Sequence, residues 1–136
     1  MRAKLAIAFA AGAFGGLANS LALWLLGIAG VTALLGVKMA PALTPGWLYP
    51  RLVWGGIWGF LFVLPLLAKR GWMVRGAVFS LGPILVQLFV VFPIKTPHGV
   101  FGLGLGTLTP LVVVIVNLVW GLAAAWLYRS TAPSRR

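Results

Sequence analysis

The sequence predicts an all-α integral membrane protein, a bundle of four transmembrane helices in a single domain over residues 1–136. Two observations lead to this prediction. Of the 136 residues, 62% are hydrophobic, against about 45–50% in soluble domains. The apolar residues also form long runs that are bounded by basic residues or by prolines and glycines. A water-soluble fold of this length could not bury so much apolar surface, so the excess is expected to face lipid.

The first apolar run, residues 5–37, is too long for one crossing. At about 1.5 Å per residue it would extend about 50 Å, whereas the hydrocarbon core is about 30 Å thick. We therefore expect a first span over residues 5–28. Residues 31–50 are then expected to lie at the outer interface, where three prolines prevent a continuous helix.

The remaining spans are expected over residues 52–68, 73–94 and 107–128. Pro83 lies inside the third span, and a kink is expected there. The glycine-rich residues 95–106 are expected to form a tight return before the fourth span. The polar tail, residues 129–136, is expected to be disordered.

Basic residues are distributed unequally between the two ends of these spans. Four crossings put both termini on one side, and eight of the eleven Lys and Arg residues fall on that side. The positive-inside rule then predicts cytoplasmic termini, in the inner (cytoplasmic) membrane of a prokaryote. Lys69, Arg70 and Arg75 lie on the same side and are expected to contact anionic lipids. Because the basic residues do not follow one helix face, nucleic-acid binding is not expected.

The chain contains no Asp, Glu or Cys and one histidine, His98. It therefore has no carboxylate acid–base pair, no thiolate nucleophile and too few ligands for a metal site. We expect no catalytic site, no metal and no cofactor. His98 is expected to be a solvated loop residue, with a haem or chlorin ligand or a pH sensor as the alternatives.

Small residues recur at intervals of four along the predicted helices. Such rows let helix backbones approach closely. Gly12 and Gly16 form such a row on the first span, Gly55 and Gly59 on the second, and Gly121 extends the pattern to the fourth. These glycines are expected either to pack helices within the chain or to contact another membrane subunit or a second copy.

Two short segments recur at an offset of about half the chain. Leu-Val-Trp-Gly at positions 52–55 recurs at 118–121, and Leu-Thr-Pro at positions 43–45 recurs at 108–110. A genuine repeat would make the protein two tandem, parallel helical hairpins. Chance matching in a chain rich in these residues is the alternative.

Three amides are predicted to lie near the centre of the membrane: Asn19, Gln87 and Asn117. Counted from the cytoplasmic charges at about 1.5 Å per residue, they lie about 18–23 Å from that surface. Because unpaired amides are costly in hydrocarbon, they should point inward. They form either an interhelical hydrogen-bond cluster or, with Ser20 and Ser80, a path for a small solute or a lipid headgroup.

Three functions remain open. The favoured one is a non-catalytic accessory, assembly or scaffold subunit of a membrane complex, because the chain is small, rich in glycine rows and poor in reactive groups. The alternative is a small channel or carrier for a neutral or anionic solute, or for a lipid, that uses the central amides. An enzyme acting through a bound lipid or cofactor is the least favoured, because no site for one is visible.

Overall fold

The computed structural model describes residues 2–67, 69–95 and 99–131, apart from the side chain of Lys95. Within these residues the regular secondary structure is all helical, and there is no strand. The helices, in chain order, are α1 (Arg2–Ile28), α2 (Val31–Leu34), α3 (Pro45–Gly59), α4 (Trp72–Phe79), α5 (Leu81–Val86) and α6 (Thr109–Thr131). A 3₁₀ turn over Phe60–Val63 continues α3, a π-helix over Gln87–Lys95 continues α5, and a 3₁₀ turn over Val100–Leu105 precedes α6.

Three segments of the described chain are long and apolar enough to cross a membrane: Arg2–Ile28, Trp72–Ile94 and Thr109–Thr131. They overlap the first, third and fourth predicted spans. The prediction of an all-α protein with transmembrane helices is confirmed at this level.

The second predicted span, residues 52–68, differs most from the structure. Helix α3 begins at Pro45 and passes through Pro50, and its 3₁₀ continuation ends at Val63. Thr44 allows the early start, because its Oγ1 atom accepts a hydrogen bond from the backbone N–H of Trp47 at 3.3 Å. Proline is tolerated in the first helical position, where its missing N–H has no helical partner. The predicted interfacial segment, residues 31–50, is thus not one continuous helix, since residues 35–44 are not helical, although Pro45 and Pro50 both lie within α3.

The irregularity expected at Pro83 is found three residues earlier, at Ser80. Helix α4 ends at Phe79 and α5 begins at Leu81, because the ring nitrogen of Pro83 cannot donate to the carbonyl of residue 79. The hydroxyl of Ser80 donates to the Ala77 carbonyl at 2.6 Å. Beyond this break the backbone widens from Gln87 onward into the π-helix.

Helix α1 lies between α3 and α6 and runs antiparallel to both. Its Gly12 contacts Gly55 and Gly59 of α3, and one turn later Gly16 contacts the backbone of Arg51. On a neighbouring face Gly15 contacts Trp120 of α6. The Gly12–Gly16 row of α1 and the neighbouring Gly15 therefore pack within the chain.

A second close approach joins α4 to α6. A Cβ atom on Gly76 would lie 2.6 Å from the Gly121 carbonyl oxygen, so the two backbones touch without intervening side chains. Beside this contact the indole N–H of Trp120 donates to the Gly12 carbonyl at 3.0 Å. The rings of Phe62 and Phe79 pack edge to face, with centroids 5.0 Å apart, and close the end of the bundle where α3 ends and α4 begins.

The close approach of α1 to α3 gives the first testable prediction. In Gly12→Ala the new methyl group would clash with the Gly55 carbonyl and lie 2.7 Å from the Gly59 Cα atom. Backbone atoms cannot move aside as a side chain can, so we expect a loss of about 1–3 kcal/mol or more in the free energy of unfolding. Unfolding of the purified protein in detergent micelles measures it.

Gly46→Ala is the matched control, because a Cβ atom on Gly46, also in a helix, has nothing within 4 Å. Alanine there should be neutral or stabilise by about 0.5–1 kcal/mol. Equal effects of the two substitutions would contradict the packing described here.

Candidate functional site

Arg51 lies in the second turn of α3, with its guanidinium directed toward α1. Its Nε atom donates to the Ser20 hydroxyl at 2.8 Å, and a terminal nitrogen donates to Asn19 Oδ1 at 2.6 Å. The guanidinium carbon lies 4.7 Å from the centroid of the Trp47 ring, a cation–π distance. A charged side chain is thus held among helices, not at their exposed ends.

The three central amides form one hydrogen-bonded chain that begins at Arg51. The Asn19 side chain donates to Asn117 Oδ1 at 3.3 Å, and the Asn117 side chain donates to Gln87 Oε1 at 3.1 Å. Asn117 also donates to the backbone carbonyl of Val113 at 2.8 Å. The amides therefore connect α1, α6 and the start of the π-helix, as the interhelical alternative from the sequence requires.

The direction of these bonds follows from the chemistry of arginine. A guanidinium can only donate, so Asn19 must turn its oxygen toward Arg51 and its nitrogen toward Asn117. Because the Asn117 oxygen accepts from Asn19, its nitrogen faces Gln87 and donates to the Gln87 side-chain oxygen. The chain consequently ends on the –NH₂ group of Gln87, which is itself a donor.

A cleft of about 520 Å³ lies beside this chain, partly open to one side of the bundle. Arg51 and Gln87 stand on its opposite walls, and Asn19 and Asn117 form its floor. Most of the remaining lining is apolar: Gly16, Pro50, Trp54, Gly55, Trp58, Pro83, Val86, Val90, Val91 and Trp120. The amides thus both bond one another and line a cavity, so the two alternatives from the sequence are not exclusive.

The cleft offers donors but no negative charge. The guanidinium has five N–H groups, and among the described residues two of them have partners. The chain has no Asp or Glu side chain that could neutralise the positive charge. The lining also lacks His and Cys. The site therefore suits an oxygen-rich or anionic ligand and not a metal cation.

Of the other sequence-predicted residues, two glycines line the cleft and the rest lie outside it. Ser20 is fully buried and bonds Arg51, whereas Ser80 is buried at the break between α4 and α5. Gly16 and Gly55 line the cleft. Gly12, Gly59 and Gly121 form helix contacts away from it.

The three basic residues predicted to contact anionic lipids differ in their exposure and hydrogen bonding. Lys69 and Arg70 are exposed. Arg75 donates to the carbonyls of Phe62 and Leu64 at 3.0 Å each, and to that of Leu66 at 3.3 Å, so it holds the end of the α3 segment against α4. His98 and residues 132–136 lie outside the described residues.

Sequence reasoning missed Arg51, which it treated only as a charge at the outer boundary of the second span. One available signal was its position before Leu-Val-Trp-Gly, which matches that of Asn117 before the second copy of this motif. Helix α1 makes similar contacts with α3 and with α6 at this depth, since Asn19 bonds Arg51 of α3 on one side and Asn117 of α6 on the other.

Comparison with protein-family models, with curated proteins and with solved structures gives no match to this chain. The geometry of the cleft is therefore the basis on which a function can be assigned.

The amide chain predicts a graded effect on stability. Gln87→Leu removes one interhelical hydrogen bond, whereas Asn117→Leu removes two and leaves the buried nitrogen of Asn19 without its acceptor. Each such bond contributes about 0.6–2 kcal/mol in a membrane protein. Unfolding in detergent should therefore show Asn117→Leu to be about twice as destabilising, and equal losses would contradict the bonding order.

Proposed function

We propose that the cleft binds an anionic ligand and that the protein is a small carrier or channel for an anionic solute or lipid. The observation that carries the proposal is Arg51, a positive charge held inside the helix bundle beside a cavity, with three of its five N–H groups without partners among the described residues. This narrows the sequence-based alternative, which also allowed a neutral solute.

The energetic cost of placing Arg51 there supports a functional role. An ionised side chain at membrane depth is expensive and, where it occurs, commonly marks a substrate or ion pathway. A purely structural cluster would satisfy its own donors, since unpaired buried donors destabilise a fold. Here the chain of amides instead ends on donors of Arg51 and Gln87 that line the cleft and have no partner among the described residues.

The amide chain also supports discrimination by charge. Its dipoles all point their oxygens toward Arg51, which stabilises the guanidinium without neutralising it. A ligand that supplies the missing negative charge gains charge-assisted hydrogen bonds, whereas a cation would be repelled. The site thus favours anions over cations.

We further propose that the chain crosses the membrane four times as two parallel hairpins, with both termini in the cytoplasm. Two features support the repeat. Helices α3 and α6 both begin in a Leu-Thr-Pro segment, at Pro45 and Thr109. Gly12 with Gly55, and Gly76 with Gly121, make equivalent close approaches within the two hairpins.

An accessory or scaffold role remains a second proposal with less support. Its main sequence signal was the glycine rows, and these pack α1 against α3 and α4 against α6 inside the chain. What remains in its favour is the lack of Asp, Glu and Cys in this sequence. Purification that yields a single copy, with no partner after crosslinking, would count against it.

Arg51→Gln tests the anion site. Thermal unfolding in detergent is measured with added sodium phosphate or phosphatidylglycerol, against sodium chloride and phosphatidylcholine. A ligand at 100 times its dissociation constant stabilises by about 2.7 kcal/mol, so an anion should raise the unfolding temperature of the native protein by several degrees. Arg51→Gln should abolish this rise, although without ligand it should unfold at the same or a higher temperature because it removes a desolvated charge.

Two further variants complete this experiment. Arg51→Lys keeps the charge but loses the planar donor fork, so the anion response should be reduced and not lost. Arg70→Gln removes an exposed arginine and should respond like the native protein. An anion response that falls equally in Arg70→Gln and Arg51→Gln, or no response in the native protein, would refute the proposal.

A further inference from the structure

Along the α3 wall the apolar part of the cleft follows its polar part, and on the opposite wall apolar residues lie on both sides of Gln87, with Val90 and Val91 beyond it. On α3, Trp54 and Trp58 come three and seven residues after Arg51 and share its face of the helix. On the opposite wall, Pro83 and Val86 precede Gln87. Helices α3 and α5 run in opposite directions. Residues that follow Arg51 on α3 and residues that precede Gln87 on α5 therefore lie on the same side of the polar groups, deeper in the bundle.

Depth along the helices agrees with this arrangement. Arg51 lies six residues after the start of α3 at Pro45, about 9 Å along the axis at about 1.5 Å per residue, and Trp58 lies about 10 Å farther. Along α3, from that end of the bundle inward, the wall of the cleft is first cationic and then apolar. A lipid in the adjacent leaflet has the same order, with its headgroup outermost and its acyl chains beneath.

The cleft is open toward the side of the bundle and closed at its deep end. Trp54 on one wall is 62% exposed and Val90 on the other is 41% exposed, so the edges of the cleft face the surroundings of the bundle. At its deep end the Trp58 ring lies against Gly82 of α5, where an added Cβ atom would be 2.9 Å from the ring. Beneath Trp58 the Phe62 and Phe79 rings pack together. Entry between the two walls is therefore open, whereas passage through the deep end is not.

We infer that the ligand is a lipid with an anionic headgroup, which enters laterally between α3 and α5 and places its headgroup at Arg51 and an acyl chain between Trp58 and Val86. This inference deepens the proposed function and depends on it. The cleft volume of about 520 Å³ is within the range of about 300–1,000 Å³ for small-molecule sites. It accommodates a headgroup and part of one chain, while the rest of the lipid stays in the bilayer.

A soluble anion fits the same structure less well. It would use Arg51 and Gln87 but leave the tryptophan, proline and valine walls without a partner. It also could not pass through the cleft to the other side of the bundle, because aromatic rings close the deep end.

Photolabelling in liposomes tests the inference. Phosphatidylglycerol carrying a diazirine in its acyl chain is compared with phosphatidylcholine carrying the same group, and labelled residues are located by peptide mass spectrometry. Val86 and Leu85 form the matched pair, since they are neighbours on α5 and only Val86 lines the cleft, whereas Leu85 is 51% exposed outside it. The ratio of labelling at Trp58 and Val86 to labelling at Leu85 is the measured quantity.

With phosphatidylglycerol this ratio should exceed that with phosphatidylcholine by about tenfold, the preference that about 1.4 kcal/mol of headgroup binding gives. Arg51→Gln should remove the excess without changing the labelling of Leu85. Equal ratios for the two lipids, or an excess that survives in Arg51→Gln, would overturn the inference.

Failure of this inference can be separated from failure of the proposed function. If inorganic phosphate stabilises the native protein through Arg51 while the labelling ratio does not depend on the headgroup, the cleft binds a free anion and only the lipid assignment is wrong. If neither phosphate nor phosphatidylglycerol produces an Arg51-dependent response, both are wrong.

Discussion

The close approach of α1 to both of its neighbours is the constraint on which the polar cleft depends. Gly12 brings α1 onto α3, and Gly15 brings it onto α6. With both backbones in contact, the side chain of Asn19 reaches Arg51 on one helix and Asn117 on the other. Dispersion between small residues thus fixes the geometry of the electrostatic network, and a bulkier residue in either row would separate the amides.

The absence of acidic side chains gives the buried arginine its particular character. In most proteins a buried arginine is paired with a carboxylate, and the pair is close to neutral. Here Ser20, Asn19 and the Trp47 ring provide only dipoles and a quadrupole. These solvate the guanidinium but leave its charge in place. The positive potential therefore extends into the cleft, where it can act on a ligand and not on a fixed internal partner.

Three of the helical spans and the common level of the central amides could be predicted from the sequence, because each depends on local composition and helical rise. Counting residues from the basic ends placed Asn19, Gln87 and Asn117 at a common depth, and they share one hydrogen-bonded chain. The role of Arg51 could not be found in the same way, because a basic residue beside a proline-rich segment is typical of a span boundary. The early start of α3 depends on the Thr44 cap, and the π-helix after Val86 has no simple sequence signal.

The two Leu-Val-Trp-Gly segments show how one short sequence makes both the floor and the wall of the cleft. In α6 the indole of Trp120 is 2% exposed and bonds the Gly12 carbonyl, so it fixes α6 against α1. In α3 the corresponding Trp54 is 62% exposed at the cleft edge. The residues that come directly before the two segments differ in the same way. Asn117 is neutral and bonds other side chains inside the bundle, whereas Arg51 is charged and faces the cavity. Because α1 already covers one face of α3 and the break at Ser80 redirects the chain into α5, the second face of α3 remains available to a ligand.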